Sequence, residues 1–320
     1  MIQIGIDLGG TATKIGLVTK NGEIAAFRTF PTPTQCTSDM IFKQIIEQCM
    51  ELCAENATPL SEIESIGFGT PGFVDRENAI ILYSANLHFE NVSVRMPFQN
   101  AFPSIPILVE NDANCAAIAE AVYGAAREYR NSITLTLGTG VGAGVIHEQQ
   151  VFNGYANLAP EIGHMIIEVD GMSCSCGRKG CMEQYISATA LIRQTKHAIA
   201  SYPESLLAKL AAHGALSAKL PFDAAVQGDR IAQSIVDRYI HYLAVSISNI
   251  IYCYGPEIIL LGGGVCNEGD RLLIPLREQV EAQLMPSSRN KTRVALAQFR
   301  NEAGVIGASA LLSLQHHNLS

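Results

Sequence analysis

Residues 2–19, IQIGIDLGGTATKIGLVT, decide how the chain begins to fold. The first seven are β-rich and alternate in character, and they end at Gly9-Gly10-Thr11, which predicts a strand followed by a bend. KIGLVT at 14–19 predicts a second strand, and Asn21-Gly22 supplies the positive φ angles of a tight hairpin turn before a third. The chain therefore opens as a β-meander whose first bend is rich in glycine.

The same pattern recurs later in the chain. NSITLTL at 131–137 leads into the glycine-rich GTGVGAG at 138–144 and then into a returning strand. A third glycine run, GGG at 262–264, follows the β-rich EIILL. Helical patterns lie between these stretches, among them an alanine-rich helix that starts at Asp112. Two similar halves of strand, glycine bend and strand predict an α/β protein of two lobes.

The three glycine bends indicate phosphate binding. Glycine lets backbone N–H groups approach an anion with no Cβ in the way. A P-loop of the form GxxxxGK[ST] is absent, and the GxGxxA spacing of Gly138, Gly140 and Ala143 is followed by a strand-like stretch instead of the helix of a Rossmann loop. What remains is a nucleotide phosphate held by hairpin loops of two lobes, with a divalent metal near an acid, for which Asp7 is the candidate.

Composition and charge narrow the class of protein. The 320 residues are 48% hydrophobic and 16% charged, which argues against disorder and for about two domains. The net charge of −8 argues against a nucleic-acid partner or an anionic membrane surface. The start, MIQIGIDLGG, has no basic region and reaches an acid at Asp7, so no secretion signal is expected and the prediction is a cytoplasmic protein.

The longest uncharged stretch, Tyr239–Pro256, raises the question of a membrane span. It contains His241, Ser246 and Asn249, and its largest residues recur at helical spacing, which favours a buried or interface helix over residues 230–254. The nine cysteines do not suggest a disulfide scaffold in a chain of this length without a secretion signal. Three of them lie in CSCGRKGC at 174–181, which is a candidate metal site.

Taken in order, these motifs resemble the signature of the ROK family, which contains bacterial sugar kinases and sugar-responsive repressors. The matching stretches are DLGGT (7–11) with Lys14, GTPG (69–72), ENDAN (110–114), GTGVGAG (138–144), EIGH (161–164), CSCGRKGCMEQ (174–184) and ILLGGGV (259–265). The resemblance implies an actin-like, hexokinase-type pair of α/β lobes with the active site in the cleft. It also implies ATP, Mg²⁺, a hexose, a zinc ion and a homodimer.

The resemblance assigns roles to particular residues. Asp112 is the expected catalytic base; without the resemblance it would be read as a helix N-cap, a role that Asp fills well. Without it, Glu161 and Glu183 would be solvated surface acids. The expected sugar contacts are Gly72, Asn111, Asp112, Glu161, His164 and Glu183. The expected Mg-ATP contacts are Asp7, Gly9, Gly10, Thr11, Lys14, Gly138, Thr139, Gly140, Gly262, Gly263 and Gly264.

The spacing C-x-C-x₄-C of Cys174, Cys176 and Cys181, with His164 ten residues upstream, suits zinc. Three thiolates and one imidazole complete a tetrahedral shell with no open position, so the predicted Zn²⁺ is structural. A zinc ribbon for nucleic acid would need basic surroundings, and only two basic residues, Arg178 and Lys179, lie nearby. The zinc is expected to fix the loop that bears Glu183.

The predicted lobes are 1–116, completed by a C-terminal helix at about 304–320, and 117–303, which carries the zinc loop and a dimerisation surface. Asn157 and Pro160 stand where family kinases usually have glycine, in a loop near the sugar. That departure leaves the hexose open among glucose, N-acetylmannosamine, fructose and allose, with glucose the first choice.

Two alternatives to an ATP-dependent hexose kinase remain. One is a sugar-sensing repressor, which would carry a DNA-binding segment before the DxGGT motif; here Asp7 lies close to the first residue. The other is a sugar-binding protein without catalysis. The presence of Asp7, Asp112 and the glycine loops argues against this alternative.

Overall fold

The computed structural model describes residues 1–158, 160–212 and 214–317, and within them it has mixed α/β structure. The chain divides into two compact units, one of Met1–Ser132, Gly144–Pro160 and Gln298–Ser320 and the other of Ile133–Ala143 and Glu161–Ala297. The predicted lobe boundaries at 116/117 and 303/304 stay a prediction, because units defined by contacts need not be the bodies that move. The last residues of the predicted C-terminal helix, 318–320, lie outside the described residues.

The strands, in chain order, are β1 (Ile2–Leu8), β2 (Ala12–Thr19), β3 (Ile24–Pro31), β4 (Ile63–Thr70), β5 (Phe73–Asp75), β6 (Ile80–Ser84), β7 (Phe89–Ser93), β8 (Ile107–Asn111), β9 (Ser132–Leu137), β10 (Val141–His147), β11 (Gln150–Val151), β12 (Ile258–Gly262) and β13 (Arg293–Leu296). The α-helices are α1 (Ser38–Glu55), α2 (Arg95–Ala101), α3 (Asp112–Val122), α4 (Glu183–Ile186), α5 (Ala188–Ser201), α6 (Leu206–Ala212), α7 (Leu220–Val226), α8 (Arg230–Tyr254), α9 (Asp270–Gln283), α10 (Ala303–Ser309) and α11 (Leu311–His317).

Five strands form the first sheet, in the order β3-β2-β1-β4-β8. The hairpin β1–β2 is antiparallel, whereas β1, β4 and β8 run parallel, with Asp7 opposite Gly69 and Thr70 opposite Asn111. Since the carboxyl ends of parallel strands meet at one edge of a sheet, this register brings the ends of β1, β4 and β8 side by side.

Both faces of the first sheet are covered. On one face α1 and α2 close an aromatic core in which the rings of Phe68 and Phe98 meet edge to face at 4.7 Å. On the other face α10 lies directly on β1 and β4. Gly5 and Gly67 allow this close approach, since a methyl group at Gly5 would collide with the carbonyl of Val305 and one at Gly67 with that of Ala308. Helix α3 packs on α10, so its position relative to the sheet is fixed by close backbone contact.

The second large sheet has the order β11-β10-β9-β12-β13, which matches the first strand for strand. The predicted internal repeat is therefore confirmed, with β9 and β10 in the places of β1 and β2. Strands β5, β6 and β7 form a small third, antiparallel sheet, whose Val74, Ile81 and Phe89 join the core of the first sheet.

The predicted long helix over 230–254 is confirmed as α8. Asp229 caps its first turn, and Gly255 ends it in the left-handed conformation. It packs against α4, α5, α7 and α9, so it is the central helix of the second unit. In the part of the chain that the structure describes, no helix combines the length and the apolar character that crossing a membrane requires.

Candidate active site

The first half of the candidate site lies at the carboxyl edge of the first sheet. Asp7 is the second-last residue of β1. Its Oδ2 accepts a hydrogen bond from Lys14 Nζ at 2.9 Å across the β1–β2 hairpin. Lys14 Nζ also donates to the carbonyl of Asn301 at 3.1 Å. The predicted pair of Asp7 and Lys14 is thus brought together, with the positive charge held beside the carboxylate.

The junction between β8 and α3 places Asn111 and Asp112 at the same edge. Asn111 is the N-cap: its Oδ1 accepts from the backbone N–H groups of Ala113 (2.9 Å) and Asn114 (3.2 Å). Asp112 is the first helical residue, and its Oδ1 accepts from Ala113 N at 2.8 Å. The capping role therefore belongs to Asn111, and Asp112 stands at the positive end of the helix dipole, where a carboxylate is favoured.

Gly72 joins this edge through its backbone. Its carbonyl accepts a hydrogen bond from Asn111 Nδ2 at 3.1 Å, which ties the turn after β4 to the start of α3. Gly72 has φ +98°, and a methyl group there would collide with the carbonyl of Tyr83. A residue other than glycine would have to move this turn away from Asn111.

The buried thiol of Cys115 lies near the acids of this edge, and its pKa responds to their charges. Burial raises the pKa of Cys115 well above its ordinary value, and the negative charges of Glu110, Asp7 and Asp112 raise it further. Two predicted site acids, Asp7 and Asp112, thus act on one point beneath the edge. Cys115 itself is a protonated, buried thiol with no nucleophilic character.

The glycine bends differ in how they are built. In the first bend, Gly9 N donates to Ala12 O at 3.1 Å, and Thr11 O accepts from Thr32 N at 3.0 Å. In the second, Gly138 N donates to Gly140 O at 3.0 Å, and Thr139 is exposed at the tip.

Open space lies over parts of the bends of the second unit. Among the described residues, apart from the glycine's own chain neighbours, a methyl group built at Gly138 or at Gly264 would meet no atom within 4 Å, so both positions leave room beside the backbone. Gly263 is different: its φ is +95° and a methyl group there would collide with the carbonyl of Leu137. Gly262 has ordinary space around it. Gly263 therefore shapes the turn, whereas Gly138 and Gly264 leave open space beside the backbone.

Glu183 connects the zinc loop to the second glycine bend. Its Oε2 accepts from Val141 N at 3.0 Å, and a methyl group at Gly140 would collide with that oxygen. Its Oε1 lies 3.9 Å from the Sγ of Cys174. Glu161 is exposed and begins the short 3₁₀ turn Ile162–His164. Within the second unit, the predicted sugar-binding carboxylate Glu183 therefore contacts the predicted phosphate loop directly.

The cysteine cluster brings four possible metal ligands close together. One ligand atom from each of His164, Cys174, Cys176 and Cys181 lies within 4.8 Å of all the others. Cys176 Sγ and Cys181 Sγ are 3.6 Å apart, and so are Cys174 Sγ and His164 Nδ1. A tetrahedral Zn²⁺ with ordinary bond lengths sets S···S at about 3.8 Å and S···N at about 3.6 Å. These residues fit zinc, and Nδ1 is the nitrogen of His164 that faces Cys174.

Two thiols of the cluster, Cys174 and Cys181, differ in their pKa. Burial is the strongest influence on Cys174 and raises its pKa, but hydrogen bonds from Cys176, Cys181 and His164 outweigh it and lower the pKa to about 7. Burial and the neighbouring thiols raise the pKa of Cys181 to about 12. Cys174 is therefore the more readily ionised of these two thiols.

Further residues of the site were not singled out from the sequence. Glu110 is buried and pairs with Arg76, its Oε2 lying 2.9 Å from Arg76 Nε. Glu110 Oε1 accepts from Asn111 N and from Asn114 Nδ2, and Asn114 Nδ2 also donates to Asn153. Glu110 and Asn114 are the first and last residues of the ENDAN motif, whereas no sequence motif marks Arg76 or Asn153.

Two sheets of matching strand order, each with a glycine bend after its first strand, define the class of the protein as an α/β chain of the actin-like, hexokinase type. The ROK family profile matches residues 3–315, and the chain belongs to the ROK family. It is 35% identical over 311 residues to a glucokinase of Thermotoga maritima, covering 97% of this chain and 96% of the relative.

Two further relatives mark the range of the family. The structure of a ROK family glucokinase from Streptomyces griseus in complex with glucose and AMPPNP matches with a TM-score of 0.83 at 30% identity, over 97% of this chain and 99% of that one. This likeness confirms the predicted fold class. A putative xylose repressor from a Caldicellulosiruptor species is 27% identical over 310 residues, which are 97% of this chain and 77% of the repressor.

Proposed function

We propose that this protein transfers the terminal phosphoryl group of ATP to a hydroxyl group of a hexose, with the 6-hydroxyl of glucose as the first candidate. The observation that carries the proposal is the placing of Asp112 at the start of α3, directly after β8, at the sheet edge where β1 carries the Asp7–Lys14 pair, in a ROK family chain that resembles glucokinases over nearly its whole length.

Asp112 is the proposed general base. Because the side chain of Asn111 caps α3, the first turn of the helix has a cap that is independent of Asp112. A carboxylate that accepts the hydroxyl proton as the new P–O bond forms contributes typically about 10²–10⁴-fold to the rate. Asn111, bonded to Gly72, and the Gly72 turn are proposed to hold the sugar beside this base.

The nucleotide is assigned to the glycine bends and to the Asp7–Lys14 pair. The open space beside Gly138 and Gly264 suits phosphate oxygens, with Thr139 and Gly140 in the same turn, and Gly9, Gly10 and Thr11 are assigned to the phosphates from the first unit. Asp7 offers the oxygen ligand that Mg²⁺ prefers. Bound Mg²⁺ neutralises the charge that develops on the transferred phosphoryl group, and Lys14 Nζ adds a positive charge beside it.

In the second unit Glu161, His164 and Glu183 are assigned to the sugar hydroxyl groups. Ionised carboxylates suit this task because each accepts hydrogen bonds at two oxygens. With Nδ1 of His164 turned to the cysteines, Nε2 is the nitrogen left to serve a hydroxyl group. The proposed zinc is structural, since four protein ligands complete its shell. It orders the segment between His164 and Glu183.

The test is a panel of hexoses in a coupled assay of ADP release. The proposal expects ADP formation that depends on one or a few hexoses, with slow ATP hydrolysis in their absence. The likeness to a xylose repressor favours a regulator as the second candidate, which would bind a sugar and operator DNA without turnover. A catalytically inactive protein would bind a sugar and do neither. ADP release that is the same with and without every hexose would reject the kinase proposal.

A further inference from the structure

The first turn of α3 holds two loops at once. On one side, Asn111 Nδ2 donates to the carbonyl of Gly72 at 3.1 Å. On the other, Asn114 Nδ2 donates to Asn153 Oδ1 at 2.8 Å. These two amides flank Asp112, the proposed base, by one residue and two residues. The same helical turn that carries Asp112 therefore fixes the start of a distant segment.

The side chain of Asn114 has a single well-defined orientation. It is only 4% exposed, and both hydrogens of its amide are used, one by Asn153 and the other by Glu110 Oε1 at 3.0 Å. Glu110 is 1% exposed and is held in turn by the Asn111 N–H group and by Arg76. Hydrogen bonds between buried groups are strong and directional, so this network sets where Asn153 can lie.

The segment that Asn153 begins, residues 153–158, is an exposed loop with little support of its own. Gly154, Ala156 and Asn157 all have left-handed φ angles between 55° and 62°, and Tyr155 is 94% exposed. Asn157 suits such a position, because its side chain tolerates that conformation better than most residues other than glycine. Inside the loop the structure gives one weak backbone bond, from Leu158 N to Tyr155 O at 3.3 Å.

The 153–158 loop lies close to the proposed sugar site along the chain and within the first unit. It packs against β5, which starts directly after Gly72. It is followed within three residues by Glu161, a proposed sugar ligand. A shift at Asn153 would therefore be felt on the sugar side of the site.

We propose that Asn114 is a positioning residue that anchors the 153–158 loop to the helix of Asp112, and that the anchored loop contributes to hexose affinity. This inference rests on the proposed function. Loss of one buried hydrogen bond changes an affinity by about 3- to 10-fold. The effect falls on hexose binding and not on the chemistry, because Asp112 and its cap at Asn111 keep their own bonds.

The test compares Asn153→Ala with Asn153→Asp in the full chain. Asn153 is half-buried, so neither variant threatens the fold, whereas Asn114→Leu, buried beside Glu110, would. Alanine removes the acceptor, and an aspartate oxygen restores it. The expected result for Asn153→Ala is a KM and a calorimetric Kd for the hexose raised about 3- to 10-fold, with kcat and the KM for ATP within about 2-fold of the wild type. Asn153→Asp is expected to recover most of the hexose affinity.

Cleavage by chymotrypsin after Tyr155 gives a readout that needs no hexose. It is expected to speed up in Asn153→Ala and to return towards the wild-type rate in Asn153→Asp. Equal hexose KM values in the wild type and Asn153→Ala, or equal defects in both variants, would overturn the inference. A wild type that neither binds nor phosphorylates any hexose would reject the proposed function and the loop's role in affinity, and the cleavage rates would then decide the anchoring alone.

Discussion

Replacing Cys176 by serine is expected to remove zinc and loosen the segment 164–183. Cys176 is exposed, so the change leaves no cavity, and its Sγ lies 3.6 Å from Cys181 Sγ, a spacing that a shared Zn²⁺ would impose. In the described structure this segment is held by the bridges Ile166–Cys181 and Ser173–Lys179 and by a few further backbone bonds, such as Met182 N to Met165 O at 2.8 Å. Part of its order is therefore expected to come from the metal.

The size of the effect follows from linkage. Changes in residues that only support a metal ligand cost about 10–100-fold in affinity, so loss of a ligand is expected to cost at least about 100-fold. At free zinc about 100 times the wild-type dissociation constant, zinc stabilises the loaded form by about 2.7 kcal/mol, and a 100-fold weaker site keeps about 0.4 kcal/mol. The difference, about 2.3 kcal/mol, corresponds to a roughly 50-fold larger open population.

Trypsin reads out that population, because Arg178 and Lys179 are exposed within the segment. Metal analysis is expected to find about one zinc per wild-type chain and none in Cys176→Ser after dialysis, with cleavage up to about 50-fold faster in the variant. Cys253→Ser, at an exposed cysteine outside the cluster, is the matched control and is expected to behave as the wild type. A folded, active wild type without zinc, or equal cleavage of the two variants, would refute the reasoning.

Further predictions concern stability, nucleotide binding and assembly. Asp229→Ala is expected to lower the free energy of unfolding by about 2–4 kcal/mol at pH 7, because Asp229 accepts from the backbone N–H groups of Ile231, Ala232 and Leu207. Burial raises the pKa of Asp229, but these bonds outweigh it and lower the pKa. The stabilisation is therefore present above a pH of about 4 and is lost as the pH falls through the pKa of the folded state. Urea melts at pH 7 and at pH 3.5 check this expectation. Gly138→Ala is expected to raise the KM for ATP about 10-fold with an unchanged melting temperature, and an unchanged KM would remove Gly138 from the phosphate site. Gly263→Ala is expected to lose about 1–3 kcal/mol of stability, because the backbone at Gly263 has a φ of +95°. Light scattering is expected to give twice the chain mass of 34.4 kDa, and a species of one chain mass at micromolar concentration would contradict the predicted dimer.

The parts of the fold that repeat or run long could be predicted from the sequence. Runs of β-forming residues on both sides of glycine predict the β1–β2 hairpin and its repeat, β9–β10. Large apolar residues at helical spacing predict α8. The small sheet β5–β7 could not be predicted in this way. Its strands are short, and left-handed positions near them are filled by Ala79, His88 and Asn91, so the usual glycine signal for such positions is absent.

The candidate site divides in the same manner. The three cysteines of the cluster are visible because they lie within eight residues of one another, whereas Asp112 is singled out only by the resemblance of ENDAN to the family motif. The bond between Asn114 and Asn153 joins residues 39 positions apart, and it depends on how β8, α3 and the following hairpin fold together. No local spacing reveals such a contact. Which of Asn111 and Asp112 caps α3 likewise depends on backbone angles that both residue types accept.

The most direct test of the central claim is the turnover of Asp112→Asn with the hexose that the wild type prefers. The variant keeps the shape of the side chain but cannot take up the hydroxyl proton as a carboxylate does. We expect kcat to fall about 10²–10⁴-fold while the calorimetric Kd for the hexose changes by less than about 3-fold, with Asp39→Asn, an exposed acid in α1, as the control. A variant that kept more than about a tenth of the wild-type kcat would contradict the assignment of Asp112 as the base.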